Sequence, residues 1–469
     1  MSQWRIVTLL LLAPALGVAA GGIEGDWNGT LNLGAIQLRL AFHLSRAGDG
    51  TFSGTLDSLD QNARGIPLSK VTQAGPSVLL EIKSVGAAFD GQLSADSAEI
   101  SGTFRQLGRD LPLTLHRGPA AELRRPQEPH APFPYDAEDV VYDNPKANIK
   151  LAGTLTLPRT PAPHPAVLLI TGSGPQDRDE AIMGHRPFLV IADYLTRRGI
   201  AVLRVDDRGT GKSTGKFAEA TTADFAGDAR ASVEYLKTRK EIDARQVGLI
   251  GHSEGGIIAP MLASQDSGIA FVVMLAGSGV TGEEIVAAQQ YLINLAAGMP
   301  AEQAERSRQV ERIVLDVARQ ETDPETAKRK IREGIQKLSA GFPADERKAV
   351  ETSIPEIEKQ IGTLTSPWFR MFLSYDPRPA LEKVKVPVLA MNGSLDLQVT
   401  PQQNLPAIAA ALEAGGNPDY QIVKLPHLNH LFQTAQTGLP MEYAKIEETF
   451  APVALQAMGD WIVRHVSIK

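Results

Sequence analysis

The chain has 469 residues, more than one ordinary core accommodates, so two domains are expected. Hydrophobic residues make up 43% and charged residues 22%, the balance of a globular protein, and the net charge of -7 argues against nucleic acid, whose phosphates need a basic stripe. The absence of cysteine excludes disulfides, thiolate metal sites, a lipid-modified cysteine and a cysteine nucleophile.

Arg5 precedes an apolar run from Ile6 to Leu16, and the small residues Val18-Ala19-Ala20 follow. A charged start, a short apolar stretch and small residues predict a signal peptide over 1–20, cleaved near Ala20, and a secreted or periplasmic protein. The run is shorter than the ~20 apolar residues that span a bilayer. No later segment reads as a membrane span, so none is expected to remain after signal removal.

Residues 24–117 read as a small all-β, barrel-like domain. Ile36, Leu38, Leu40, Phe42 and Leu44 recur with period two. A short pattern repeats: Trp27-x-Gly29-x-Leu31, Phe52-x-Gly54-x-Leu56, Phe89-x-Gly91-x-Leu93 and Ile100-x-Gly102-x-Phe104. Positions two apart share a strand face, so each glycine falls between two large residues and admits a bend or a close neighbour. No site chemistry is visible there, and the default reading is that this domain shields the one that follows. The stretch 118–134 carries five prolines and reads as a semi-extended linker.

From 135 to 469 strands and helices alternate. Strand candidates are Ala166–Thr171, Ala201–Val205, Val247–Gly251, Ala270–Leu275, Val386–Met391 and Tyr420–Leu425. Helical patterns lie between them, which predicts an α/β domain with a doubly wound, mostly parallel sheet. Residues 280 to about 376 carry only helical patterns and read as an insertion capping the site.

The strongest chemical signal is Gly251-His252-Ser253-Glu254-Gly255-Gly256, placed between the strand Val247–Ile250 and the helical stretch Ile257–Ala263. A strand-to-helix turn this tight needs glycine on either side of a serine, and it lifts the serine hydroxyl out of the sheet. The helix N-terminus beside it favours developing negative charge.

With this turn, residues 135–469 resemble the α/β-hydrolase superfamily, and its bacterial secreted esterase-like members in particular. Four further segments match in the order of that fold. Thr171-Gly172-Ser173-Gly174 follows a strand and resembles the oxyanion loop, with Thr171 where the commoner form has His. The resemblance implies oxyanion donors at the N–H of Ser173, with Gly174 second, and of Glu254; Gly172 and Gly174 would line the substrate. Asp206-Asp207-Arg208-Gly209-Thr210-Gly211-Lys212-Ser213 resembles the family's D-x-R-G-x-G-x-S turn, in which Asp and Arg pair to hold the loop. Its Gly-Lys-Ser is not a phosphate loop, because Asp206 stands where that motif needs glycine.

Gly393-Ser394-Leu395-Asp396-Leu397-Gln398-Val399 matches the segment whose Asp orients the catalytic histidine. His427-Leu428-Asn429-His430 occupies the loop that carries the histidine. His430 is the expected base, with His427 lining the site; His427 is the alternative base. The pair lacks a third ligand for a metal. The implied triad is Ser253, Asp396 and His430, an order particular to this fold.

The resemblance implies hydrolysis of a small-molecule ester through an acyl-enzyme, with no cofactor and no metal. Trp368 and Phe369 of the cap are candidate substrate contacts. One alternative is a serine aminopeptidase-like enzyme of the same fold, for which Glu283 and Glu284 would anchor the substrate ammonium. Another is a non-catalytic binding protein on a hydrolase scaffold. The oligomeric state is open.

Overall fold

The period-two run at residues 38–44 forms part of the strand β2, Gln37–Arg46, with Leu40, Phe42 and Leu44 buried. The computed structural model describes residues 22–32, 37–59, 63–106, 108–120 and 124–468. The expected signal peptide and Ile36 lie outside the described residues. The chain divides into two units, Met1–Glu122 and Leu123–Lys469.

The first unit holds β1 (Gly25–Asn32), β2, β3 (Phe52–Ser58), β4 (Ala63–Pro67), β5 (Lys70–Ala74), β6 (Ser77–Ile82), β7 (Ala87–Leu93), β8 (Glu99–Gln106) and β9 (Arg109–Arg117), a nine-stranded antiparallel sheet in the order β4-β3-β2-β1-β9-β8-β7-β6-β5. The strands β3 (Phe52–Ser58) and β5 (Lys70–Ala74), near opposite ends of that order, approach one another, so the sheet curls. Its concave face is filled by Trp27, Phe42, Leu80, Phe89, Ile100 and Leu115. The glycines of the repeated pattern allow close approach. A Cβ on Gly29 would sit 2.4 Å from the Thr114 carbonyl oxygen, and one on Gly102 would sit 2.1 Å from that of Asp90.

The second unit holds an eight-stranded sheet in the order β10-β11-β13-β12-β14-β15-β16-β17. Five neighbouring pairs, from β13-β12 through β12-β14, β14-β15 and β15-β16 to β16-β17, are parallel. The strands are β12 (His164–Ile170), β13 (Ala201–Val205), β14 (Ile242–His252), β15 (Val272–Leu275), β16 (Val388–Gly393) and β17 (Tyr420–Leu425). β12, β15 and β16 are buried along their whole length, as strands covered on both faces must be. Buried side chains of α2 (Thr222–Thr238), α3 (Gly255–Ala263) and α11 (Pro401–Ala414) pack in one core cluster. Those of α1 (Pro187–Thr196) and α12 (Pro452–His465) pack in another.

Two strands are absent from the sequence reading. β10 (Asp136–Asn144) and β11 (Ile149–Leu157) form an antiparallel hairpin, and β11 pairs antiparallel with β13. β10 is an edge strand that buries only Val140, Tyr142 and Asn144, so its sequence is largely polar and gives little apolar signal.

Between β15 and β16 the chain forms the helices α4 (Gly282–Ala296), α5 (Ala301–Gln320), α6 (Pro324–Ser339), α7 (Ala344–Lys359), α8 (Ile361–Leu364), α9 (Pro367–Ser374) and α10 (Arg378–Leu381). Of these, α5, α6 and α7 have a core of their own, built on Val310, Val314, Ile331, Ile335 and Ile354.

Candidate active site

β14 runs straight into Ser253 and then into α3. Ser253 has φ 53, the left-handed region that side chains other than glycine seldom adopt. Glycines make this turn sterically feasible. A Cβ on Gly251 would lie 1.9 Å from the Gly255 carbonyl oxygen, and one on Gly255 would lie 2.2 Å from that of Ile170. The Ser253 N–H donates to the Leu275 carbonyl at 2.9 Å, which ties the turn to β15. Ser253 is half-buried and its Oγ has no hydrogen-bond partner among the described residues.

Asp396 lies in the loop after β16 and is 1% exposed. Its Oδ1 accepts the N–H groups of Gln398 and Val399 at 2.8 and 2.9 Å, and its Oδ2 faces His430 Nδ1 at 2.8 Å. Both carboxylate oxygens are thereby fixed, and the imidazole is held with Nε2 free to accept. Asn429 holds the His430 loop: its Oδ1 accepts the N–H of Leu431 and of Gln433. His427 is not brought to this group. It is exposed, has φ 60, and its N–H donates to Ser394 Oγ at 2.8 Å.

The loop after β12 is held at several points. A Cβ on Gly172 would lie 3.3 Å from Ser253 Cβ, so the loop runs directly beside the serine. The Gly172 N–H donates to Glu180 Oε1 at 2.7 Å. The N–H groups of Ser173 and Glu254 have no partner among the described residues. Gly174 sits at φ 93, where glycine is required. Asp207 clamps the same loop, accepting from Thr171 Oγ1 at 2.8 Å and from the Gln176 N–H at 2.9 Å.

Two features of these loops depart from the sequence reading. Asp206 and Arg208 do not pair with each other: Asp206 binds Arg178 through both oxygens, whereas Arg208 binds Asp228. Glu180 was not singled out at all. It is 3% exposed, and its Oε1 also meets His252 Nδ1 at 2.9 Å. Its place seven positions beyond Ser173, in a loop without periodicity, left no signal in the sequence.

Burial pushes the Asp207 carboxyl up to about 7, only partly offset by the Gln176 and Thr171 donors. A carboxyl raised in the folded state favours folding fully below its unfolded value near 3.8, and that contribution is lost as pH rises towards about 7. We therefore expect the stability of the wild type relative to Asp207→Asn to decline between about pH 4 and 7 and then level off. Urea unfolding of both proteins across that range reads the difference directly.

The cap reaches this site through Trp368. Trp368 Nε1 donates to both oxygens of Glu254, at 3.0 Å each, and Thr222 Oγ1 donates to Oε1 at 2.7 Å. Burial holds the Glu254 carboxyl above its usual range, with these two donors opposing the shift. Trp368→Phe removes one donor from this buried carboxyl, and a loss of about 1–3 kcal/mol in urea unfolding is expected.

Phe369 instead lines a cavity of about 460 Å³ inside the cap, with Val286, Val314, Leu315 and Leu364. The Glu311 carboxyl lies in the same cavity, pushed up to about 7 by burial. Glu283 and Glu284 are already engaged. Glu284 closes a capping box with Thr281 at the start of α4, and Glu283 pairs with Arg319 at 3.4 Å. Among the described residues no group of three His, Asp or Glu side chains is arranged to hold a metal ion.

A parallel sheet with an antiparallel hairpin at one edge, a serine at a strained turn after a central strand, and an Asp–His pair after the last two strands are now all in place. The family model described as serine aminopeptidase, S33, matches residues 186–339. Esterase EstD of Thermotoga maritima is 27% identical over 297 residues, 63% of this chain and 61% of that protein. The chain has the α/β-hydrolase fold.

Solved structures that resemble the chain are less similar in sequence. Est1E from Butyrivibrio proteoclasticus, bound to ferulic acid, is 17% identical and covers 70% of this chain and 98% of its own, with a TM-score of 0.40. A Pyrococcus furiosus esterase is 16% identical and covers 74% and 97%, with a TM-score of 0.42. The family match on the α/β-hydrolase unit takes in Ser253 and most of the cap and stops short of Asp396 and His430. The chain spans about three fifths of the length of EstD.

Proposed function

We propose that this protein is a serine hydrolase of carboxylic esters, with Ser253 as nucleophile, His430 as base and Asp396 as the residue that orients it. The observation that carries this reading is the 2.8 Å contact between Asp396 and His430 Nδ1, in a unit whose serine stands at φ 53 on a strand-to-helix turn. A carboxylate on Nδ1 fixes the tautomer in which Nε2 accepts a proton. His430 takes the Ser253 proton as Oγ attacks the ester carbonyl. The oxyanion rests on the N–H groups of Ser173 and Glu254. His430 then protonates the departing alcohol, and water deprotonated by the same imidazole releases the acid.

The substrate profile tests this reading. Wild type and Ser253→Ala are compared on aryl esters of increasing acyl length and on aminoacyl amides. Hydrolysis of esters by wild type alone supports the proposal, and equal hydrolysis by both proteins overturns it. Preference for aminoacyl amides favours the peptidase reading that the family description suggests, although Glu283 and Glu284 are committed elsewhere. We also place the reaction outside the cytoplasm, on residues 1–20 alone; retention of the full chain in the cytoplasmic fraction of a bacterial host would contradict that.

A further inference from the structure

We infer that Glu180 and His252 act as one positioning couple, setting the oxyanion loop and the His430 loop relative to Ser253. This inference rests on the hydrolase reading above. Glu180 Oε1 accepts the Gly172 N–H at 2.7 Å and meets His252 Nδ1 at 2.9 Å, and His252 Nε2 meets the His430 carbonyl oxygen at 3.0 Å. The segments so joined are the loop after β12, the last residue of β14 and the loop after β17; β12 and β14 are paired neighbours, whereas β15 and β16 separate β14 from β17. Glu180 and His252 are 3% and 6% exposed, so water does not compete for these bonds.

The donor arithmetic is restrictive. A carbonyl oxygen only accepts, so His252 Nε2 carries a proton. With Glu180 ionised, the oxygen that takes the Gly172 N–H takes His252 Nδ1–H as well, and the ring is then an imidazolium. Burial alone would push His252 down; the Glu180 carboxylate beside it outweighs that and raises it. Glu180 is held in place by its own turn, at φ 51, with its N–H on the Asp177 carbonyl at 2.9 Å. A carboxylate kept in that uncommon conformation and aimed inward is a feature the surrounding structure has to maintain.

The consequence for the reaction is directional. With the Gly172 N–H taken by Glu180, the next N–H, that of Ser173, is the one left for the oxyanion. With the His430 carbonyl taken by His252, the base cannot slide along its loop. Neither residue touches the substrate, so both are positioning residues. Glu180→Gln retains the shape and loses the charge. Its single amide oxygen cannot also serve as counter-ion to an imidazolium, and its NH₂ cannot accept.

The test uses the full-length protein and the variants Glu180→Gln, His252→Gln and the double variant. Active sites are counted with a fluorophosphonate, and kcat per labelled site, KM and the affinity for an alkyl boronic acid are measured. The boronic acid is trigonal when free; it takes the Ser253 oxygen onto boron and becomes a tetrahedral anion that uses the oxyanion donors.

The expected result is a fall of about 10–100-fold in both kcat and boronate affinity, with KM within about twofold. The double variant is expected to fall no further than either single one. Unchanged kcat per labelled site with only a lower Tm overturns the inference, and so do losses that multiply in the double variant. A wild type that takes no label overturns the Ser253 reading instead. Should Glu180→Gln not fold, Glu180→Asp keeps the charge, withdraws it by one methylene, and is read by the same criteria.

Discussion

Ser253→Ala is expected to lower kcat on an aryl ester by about 10⁴–10⁶-fold while leaving the fold intact. In the proposed mechanism the substitution removes the oxygen that forms the acyl-enzyme and nothing else of consequence. Ser253 Oγ bonds to no other described residue, so its loss leaves no buried partner unsatisfied. The strained φ of 53 is shared by serine and alanine, both of which carry a Cβ. Stability is therefore expected to change by less than about 1 kcal/mol. The residual rate comes from the oxyanion donors and from binding, which persist in the variant. Steady-state kinetics paired with urea unfolding separates the two effects: a collapse of kcat at unchanged midpoint is the predicted pattern.

Asp396→Asn is expected to lower kcat by about 10⁴-fold with a small effect on KM. Asp396 Oδ1 accepts two backbone N–H groups, from Gln398 and Val399. An asparagine oxygen takes that place, which turns its NH₂ towards His430 Nδ1. A donor there forces the imidazole proton onto Nε2, the nitrogen that must receive the Ser253 proton. The ring stays where it is and carries the wrong tautomer. The two backbone bonds survive, so the variant is expected to unfold within about 1 kcal/mol of wild type. Kinetics at saturating ester, with circular dichroism as control, checks both halves of this expectation.

These residues were legible in the sequence because the fold enforces them by chain order and by sterics. Gly251 and Gly255 sit where any Cβ would overlap a carbonyl oxygen, so the serine turn is written into the sequence as glycine. Asp396 follows the fully buried strand β16, and His430 follows β17, whose Ile422 and Val423 mark it as a strand. The ends of β13 and β17 are also those read from the apolar runs Ala201–Val205 and Tyr420–Leu425.

What stayed hidden is long-range. The edge strand β10 is largely polar because one side of it has no neighbour. The pairing of Asp206 with Arg178, and not with Arg208, depends on the loop after β12 folding back across the sheet. Glu180 belongs to that same loop. Nothing periodic marks it, and its importance appears only when Gly172, His252 and His430 are brought together. The sequence offers Trp368 as a candidate substrate contact; its indole N–H on the Glu254 carboxyl is a contact between residues 114 positions apart.

The central claim is that Ser253 is the nucleophile, and it is tested most directly by locating a covalent adduct. The protein is incubated with a fluorophosphonate, digested, and mapped by mass spectrometry. The account predicts a single phosphonylated residue, Ser253, with labelling abolished in Ser253→Ala and slowed in Asp396→Asn. An unlabelled wild-type protein, or an adduct on another serine that persists in Ser253→Ala, would contradict it.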